Sequence, residues 1–267
     1  MVSFVATPIG NLQDITFRAV ETLKKADVIF CEDTRHTIKL LNAYEIKKPL
    51  FSCHKFNEKE AAEKIIALVE EGKEVAVVSD AGMPVVSDPG NIVCKALKER
   101  GVAYTVIPGA CACVCALVLS ALDSGRFTFV GFLPEKTSEK KALLEKFASV
   151  QTTLLFHSAP QDIDKDIKVM YEVFGDRQAC AVREITKIHE ESVSFTLAEG
   201  LAGEKRGEYV LVVEGAKEEE NALCSLSEVE HIKAYMAQGY DKKEALKLAA
   251  KDRGVSKSAL YPFAIDL

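Results

Sequence analysis

The chain has 267 residues, of which 48% are hydrophobic and 28% are charged, and its formal net charge is -6. This composition excludes a wholly disordered or fibrous protein, and the length suits one large domain or two ordinary ones. The negative charge argues against a protein that coats duplex DNA, so any contact with nucleic acid must be local.

Short apolar runs alternate with amphipathic stretches in the first half of the chain, which is typical of an α/β protein. The run from Glu74 to Ser79 is almost continuously apolar, as in a strand buried on both faces of a parallel sheet. In chain order, the pattern predicts a strand at Val2–Ala6, a helix at Thr16–Lys25, a strand at Val28–Cys31, a helix at Ala61–Glu71, a strand at Glu74–Ser79, a helix at Ile92–Arg100 and a strand at Ala103–Ile107.

The pattern changes near Arg126, where connections lengthen and a mixed sheet is expected. Strands are predicted at Phe127–Phe132, Thr152–His157, Ala179–Arg183 and Glu208–Glu214, with a charged helix at Ser138–Phe147. A Glu-rich linker at residues 216–221 precedes three helices that start near Ser225, Lys242 and Ser256. We therefore predict two α/β domains, residues 1–115 and 116–220, and a helical extension at residues 225–267.

Membrane, secretory and metal-binding roles find no support in the sequence. The longest apolar run, residues 110–119, is far shorter than the ~20 residues that span a bilayer. No signal peptide is visible, so we expect a cytoplasmic protein with eight reduced cysteines. Cys111, Cys113 and Cys115 lack the second ligand pair of a zinc site and are interpreted as packing residues of a helix, so no metal is predicted.

Three loops that follow predicted strands are rich in glycine and proline: residues 7–12, 79–90 and 108–112. Glycine lets the backbone approach a ligand closely, and proline fixes its course. Ligands of open α/β sheets bind beyond the carboxyl ends of the strands, so we predict a small-molecule site there. The dinucleotide-binding glycine motif, the P-loop and the nucleophile elbow are all missing.

Five segments in order resemble one family, the ribosomal RNA small-subunit methyltransferase I family of the tetrapyrrole methylase superfamily. They are residues 7–16, 31–35, 79–90, 131–136 and 183–187, and the resemblance extends over residues 4–215 and into the helical tail. Two departures stand out. Met83 occupies a position where the family pattern has threonine, and residues 109–113 contain more cysteine than that pattern.

The resemblance implies two α/β domains with a cleft between them, S-adenosylmethionine bound in the cleft, and a homodimer. It implies methylation of the ribose 2′-hydroxyl of a cytidine in the decoding centre of small-subunit ribosomal RNA. The implied cofactor-binding residues are Pro8, Ile9, Asp80, Ala81, Gly82, Met83, Pro84, Val86, Pro108, Gly109, Ala110, Cys111, Phe156, Ala181, Glu208 and Tyr209. The implied RNA-binding residues are Asn11, Glu32, Arg35, Lys136 and Arg183.

Methyl transfer requires a group that removes the proton of the attacking hydroxyl or stabilises the developing alkoxide. Lys187, if buried and neutral, or Glu184 or Asp33 as a carboxylate could do this, and the sequence leaves the three open. Two other functions also remain open: methylation of a tetrapyrrole or a protein on the same fold, and a ribosome-binding factor without catalysis. The helical tail either packs onto the core or contacts the ribosome through its lysines.

Overall fold

The chain forms two compact units, Met1–Ala216 and Lys217–Leu267. The computed structural model describes residues 1–217, 222–265 and 267, so residues 218–221 of the predicted linker lie outside the described part. None of the described helices is long and apolar enough to cross a membrane.

The first half of the larger unit is a parallel sheet between layers of helices. Its strands are β1 (Val2–Val5), β2 (Val28–Cys31), β3 (Leu50–Ser52), β4 (Val75–Val78) and β5 (Tyr104–Ile107). Its helices are α1 (Phe17–Lys25), α2 (Thr34–Ala43), α3 (Glu58–Glu70) and α4 (Asn91–Glu99). The strand order is β3-β2-β4-β1-β5 with every pairing parallel. Apolar clusters cover both faces, which is why the central strands are continuous apolar runs.

The second half is a mixed sheet. Its elements are α5 (Ala112–Ser120), β6 (Phe127–Phe132), α6 (Thr137–Glu145), β7 (Thr153–Ser158), α7 (Ile163–Phe174), β8 (Gln178–Arg183), β9 (Glu191–Thr196) and β10 (Tyr209–Val213). The strand order is β6-β7-β10-β8-β9, in which β6 and β7 are parallel and the other neighbours antiparallel. The prediction of a mixed sheet is confirmed.

Helix α5 is apolar all round but is covered on one side only. Cys113, Ala116 and Leu117 pack against the second sheet. On another side, the relative exposures of Val114 and Val118 are 45% and 73%. The predicted domain limit at residue 115 falls inside this helix, which belongs to the second sheet by its packing, and the three domain limits stay a prediction.

The smaller unit has its own apolar core. Its helices are α8 (Glu228–Ala237), α9 (Lys242–Asp252) and α10 (Lys257–Leu260). Each begins at a side-chain cap, from Ser227, Asp241 and Ser256 respectively, and these caps satisfy amide groups that a short helix leaves free. The buried core residues are Ile232, Ala245, Leu246, Ala249, Ala250, Leu260 and Ala264.

The predicted elements correspond to observed ones with ends that differ by a few residues. Thr16 caps α1, and Asp33 caps α2. Strands β3 and β9 and helices α2 and α7 were not predicted. Lys140 of the charged helix α6 is buried and paired with Asp166 of α7, so it does not belong to a solvated face.

Candidate functional site

The three glycine- and proline-rich loops meet at the carboxyl end of the first sheet. Thr7, after β1, pairs with Gly82, after β4, through hydrogen bonds between their backbones in both directions. A Cβ atom built on Gly82 would lie 3.1 Å from Cγ2 of Ile9 and 3.6 Å from the carbonyl oxygen of Ala110, after β5. The predicted convergence of these loops is therefore observed.

The second motif joins the same loops through Asp80. The backbone N–H of Asp33 donates to Oδ1 of Asp80 (3.1 Å), and Nδ1 of His36 lies 3.3 Å from Oδ2 of Asp80. Asp33 also caps α2 and accepts hydrogen bonds from the Arg35 guanidinium. These bonds from Arg35 lower the pKa of Asp33 to about 2, so its carboxylate is a poor acceptor for a substrate proton.

The second sheet reaches these loops through the segment after β8. A Cβ atom on Gly10 would lie 2.7 Å from Cγ of Lys187 and 3.0 Å from the carbonyl oxygen of Ile185. Nζ of Lys187 donates to Oε1 of Glu184 at 2.9 Å. The Lys187 side chain is 38% exposed. A neutral lysine would need an environment that is buried and free of a negative partner. Lys187 is partly exposed and is paired with Glu184, so it meets neither condition.

A cavity of about 230 Å³ is lined by residues from both halves of the larger unit. Its walls combine apolar side chains with a set of carboxylates, as ligand sites commonly do. The lining residues are Ile9, Asp80, Ala81, Val86, Ser87, Asp88, Ala112, Phe132, His157, Ser158, Glu184, Ile185, Lys187, Glu208, Tyr209 and Val210.

Two carboxyl groups at or near the cavity, Asp88 and Glu32, have raised pKa values. Burial, followed by the charge of Glu32, raises the pKa of Asp88 to about 6, and Asp80 and Glu208 add to the effect. Burial and the charge of Asp80 likewise raise the pKa of Glu32. A carboxyl group with a pKa near 6 in a cavity is suited to exchange a proton at neutral pH.

Backbone strain is concentrated in two of the lining loops. Val85, Ser87, Glu184 and Thr186 have positive φ values of 77°, 66°, 51° and 68°. Non-glycine residues rarely adopt this conformation, and a β-branched valine there is a true outlier. Residues held in this way are common at ligand sites, where the surrounding structure enforces them.

Two observations show that these residues fit a bound organic cofactor. His157 lines the cavity, and its Nε2 is buried and has no hydrogen-bond partner in the protein. Burial lowers the pKa of His157, so its imidazole is neutral near pH 7. The unpartnered Nε2 of His157 leaves hydrogen-bonding capacity for a ligand. Gly82, which has no side chain, lets the ligand approach the backbone.

The structure brings together some of the predicted site residues and not others. Ile9, Asp80, Ala81, Val86, Glu184, Lys187, Glu208 and Tyr209 line the cavity. Gly82, Ala110 and Asp33 lie in or beside the converging loops. The side chains of Phe156 and Ala181 are buried in the core on the α6–α7 side of the second sheet, so only their backbones could reach a ligand.

The remaining predicted residues do not line the cavity, and their roles stay predictions. Arg35 and Lys136 are exposed, with 87% and 78% of their side chains accessible, and Arg183 pairs with Glu191. The others of this kind are Pro8, Asn11, Glu32, Met83, Pro84, Pro108, Gly109 and Cys111. Among the described residues, no group of three His, Cys, Asp or Glu side chains is placed to hold a metal ion.

Among the cavity residues that sequence reasoning missed, Asp88 and His157 are the two with titratable side chains. Asp88 lies inside the recognised 79–90 loop, where a carboxyl group between Ser87 and Pro89 was the available signal. His157 ends an apolar strand, and a polar residue at the carboxyl end of such a strand points to a site in this class of fold.

Comparisons with known proteins agree with this architecture. Residues 1–200 match the family model of Tetrapyrrole (Corrin/Porphyrin) Methylases. The chain is 43% identical to ribosomal RNA small subunit methyltransferase I of Bacillus subtilis, over 96% of this chain and 91% of that protein. It is 37% identical to the protein of the same name from Escherichia coli O157:H7, over 98% and 93%.

Solved structures share the fold at lower identity. A diphthine synthase superposes with a TM-score of 0.63 at 15% identity, covering 80% of this chain and 90% of that one. The uroporphyrin-III-C-methyltransferase of Thermus thermophilus gives 0.55 at 20% identity, covering 80% and 93%. By its family model and its relatives, the chain belongs to the tetrapyrrole methylases, in the group called ribosomal RNA small subunit methyltransferase I.

Proposed function

We propose that the protein transfers the methyl group of S-adenosylmethionine to the ribose 2′-hydroxyl of a cytidine in the decoding centre of small-subunit ribosomal RNA. The observation that carries this proposal is the sequence identity of 43% and 37%, over nearly the whole chain, to relatives named ribosomal RNA small subunit methyltransferase I. The converging loops and their cavity support it. An RNA substrate of this kind places the activity in the cytoplasm.

The cavity would hold the methyl donor, whose sulfonium supplies an already activated methyl group. The backbone around Gly82 and Ala110, the side chain of Ile9 and the unpartnered Nε2 of His157 would bind it. The carboxylates of Asp80 and Glu208 would attract its positive charge and accept hydrogen bonds from its hydroxyl and amino groups. Met83 lies outside the cavity lining, so the missing threonine hydroxyl need not weaken this binding.

Asp88 is the proton acceptor that we propose for the ribose hydroxyl. It lines the cavity, and its pKa of about 6 is closer to neutrality than that of an ordinary carboxyl group. Asp33, Glu184 and Lys187 suit this role less well, since Asp33 binds Arg35 and the other two bind each other. Lys187 is instead a cation that would stabilise the developing oxyanion.

Exposed cations near the cavity would bind the RNA backbone. Arg35, Lys47 and Lys48 surround a hollow of about 550 Å³ with an apolar floor that includes Ile38 and Leu41. Asp33 links Arg35 to Asp80 of the cavity. A local group of cations beside the site is what an acidic protein needs in order to bind RNA phosphates.

We further propose that the protein is a homodimer and that α5 lies in the interface. A helix that is apolar all round is normally buried, whereas the side of α5 that carries Val114 and Val118 is exposed in the single chain. A second copy that covers this side would remove the exposed apolar surface from water.

The test is incubation of the protein with labelled S-adenosylmethionine and small ribosomal subunits that lack the modification. We expect label in the RNA, at one cytidine, with a mass increase of one methyl group on the corresponding fragment. Label in protein instead of RNA would show another acceptor. Cofactor binding without any transfer would show a ribosome-binding factor and would refute the proposed activity.

A further inference from the structure

Two cysteines at the start of α5 have their sulfur atoms unusually close. The Sγ atoms of Cys111 and Cys113 lie 3.4 Å apart, within hydrogen-bonding distance for thiols. Cys111 is the N-cap residue of α5 and is half-buried, whereas Cys113, two residues further on, is buried. No disulfide links them, and all eight cysteines are free.

The surroundings of Cys111 favour its thiolate. The hydrogen bond from the Cys113 thiol, together with the backbone N–H groups of Val114 and Cys113 at the helix N-terminus, lowers the pKa of Cys111 to about 6. The same pairing and burial raise the pKa of Cys113. The pair therefore consists of one reactive thiolate and one thiol that remains protonated beside it, which is the arrangement of an oxidisable dithiol.

This pair adjoins the proposed cofactor cavity. Cys111 packs in the same apolar cluster as Ile9 and Ala112, and both of these residues line the cavity. The preceding residue, Ala110, has its carbonyl oxygen close to Gly82. A change in the backbone around Cys111 would therefore move one wall of the cavity.

We propose that Cys111 and Cys113 are an oxidation site, at which a peroxide forms an intramolecular disulfide that distorts the cofactor cavity and lowers the affinity for S-adenosylmethionine. The statement about affinity rests on the proposed function, whereas the formation of the disulfide does not. A disulfide between residues two apart requires the side chains to rotate and strains the chain, so a thiol reductant opens it readily.

The reaction balances with one molecule of peroxide. The Cys111 thiolate attacks one peroxide oxygen, the O–O bond breaks, hydroxide leaves and Cys111 becomes a sulfenic acid. The Cys113 sulfur then attacks the Cys111 sulfur, the S–S bond forms and the S–O bond breaks. The leaving hydroxide takes the Cys113 proton as water. The two thiols lose two electrons and two hydrogens in total, and the peroxide is reduced to two waters.

The other cysteines react less readily by the same criteria. Burial raises the pKa of Cys31, Cys53 and Cys94, which keeps them as thiols at neutral pH. Cys180 of β8 is buried, and its Sγ lies 3.1 Å from Oγ of Ser192. Cys115, on the same helix, offers a matched control because its replacement leaves the close pair intact.

The experiment treats the full chain with hydrogen peroxide and reads intact mass, peptide mass and cofactor affinity by calorimetry. We expect the protein to lose two hydrogens, with Cys111 and Cys113 linked within one peptide. The Kd for S-adenosylmethionine should rise about tenfold, a loss of ~1.4 kcal/mol, and return on reduction. Cys115→Ser should behave in the same way, whereas Cys113→Ser should gain oxygen on Cys111 instead of losing two hydrogens.

Different failures point to different errors. Stable addition of oxygen to Cys111 in the unmodified chain, a disulfide between two chains, or no reaction of Cys111 would overturn the intramolecular disulfide. An intramolecular disulfide with unchanged cofactor affinity would overturn its effect on the cavity. A reduced protein that binds no S-adenosylmethionine would contradict the proposed function, while the mass measurement would still decide the thiol chemistry.

Discussion

The surroundings of Asp88 link its proposed role in catalysis to the stability of the fold. Its pKa is raised to about 6 from its ordinary value of 3.8, so the folded protein binds more protons than the unfolded chain between these values. The contribution of Asp88 to stability is thus largest at low pH and is lost as pH rises through 6. We predict that Asp88→Asn stabilises the protein at pH 7 by about 1 kcal/mol, a modest figure because solvent screens the charge of this partly exposed group. The same change should lower kcat at least ~100-fold.

Urea unfolding at pH 4 and pH 7 checks the stability effect, which should be smaller at pH 4. The methylation rate of the unmodified chain should rise with pH around pH 6 because Asp88 loses its proton there. The exposed Asp14 provides the control, since Asp14→Asn should change neither quantity. A full rate in Asp88→Asn would remove Asp88 as the proton acceptor and return attention to Glu184.

Helices α6 and α7 are joined by a buried ion pair. Lys140 of α6 binds Asp166 of α7, which also accepts a hydrogen bond of 2.7 Å from the hydroxyl of the cavity residue Ser158. Removing one partner leaves a buried charge, so we predict that Lys140→Met lowers the free energy of unfolding by about 3–5 kcal/mol. The double variant Lys140→Met with Asp166→Asn should recover most of this loss, as measured by urea unfolding. Equal stability of the two variants would show that the charge of Asp166 is not the cause.

The exposed side of α5 tests the proposed dimer. Val118 is 73% exposed in the single chain. A lysine at its position would bring a charge into an interface that α5 shares with a second copy, so we predict that Val118→Lys is a monomer in analytical ultracentrifugation. The 93% exposed Phe17 of α1 is the matched control, and Phe17→Lys should leave the oligomeric state unchanged. A dimer that tolerates Val118→Lys would place the interface elsewhere.

At the scale of the whole molecule, the smaller unit carries a row of lysines that is separate from the cavity residues. In the smaller unit, Lys243, Lys247 and Lys251 are exposed at intervals of four residues, which puts them on one face of α9. We predict that the triple change to glutamate weakens binding to small ribosomal subunits at least ~10-fold and flattens its salt dependence. The affinity for S-adenosylmethionine should stay the same, because the described cavity lies within residues 1–216. Unaltered binding to subunits would leave the packing role of this unit as the better explanation.

The sequence predicts those elements that are buried along their whole length, because burial alone makes their residues apolar. Strands β1, β2 and β4 are buried throughout, so their apolar runs suffice to locate them. Strand β9 is mostly exposed at the edge of its sheet, and β3 has only three residues. Their pairing depends on neighbours that are distant in sequence, so no local pattern marks them. Helix α7 was missed although it is amphipathic.

The same distinction applies to the candidate site. Loop composition predicts that residues 7–12, 79–90 and 108–112 meet, because parallel strands end at one edge of a sheet. The pKa of Asp88 depends on Glu32 and Glu208, which lie far from it in the chain, and on its own burial. The burial of Lys140 depends on Asp166 of another helix. Neither property is visible in a local segment, and both became clear only from the folded chain.

The left-handed residues around the cavity have a consequence for attempts to make the protein more heat-resistant. Val85, with φ of 77°, stores steric strain of roughly 1–3 kcal/mol, which glycine at that position would release against an entropy cost of roughly 0.5–1 kcal/mol. Selection for thermal resistance alone would therefore favour glycine there. Such a variant would hold the cavity wall less rigidly, so a screen that monitors only melting temperature would tend to enrich chains that methylate slowly.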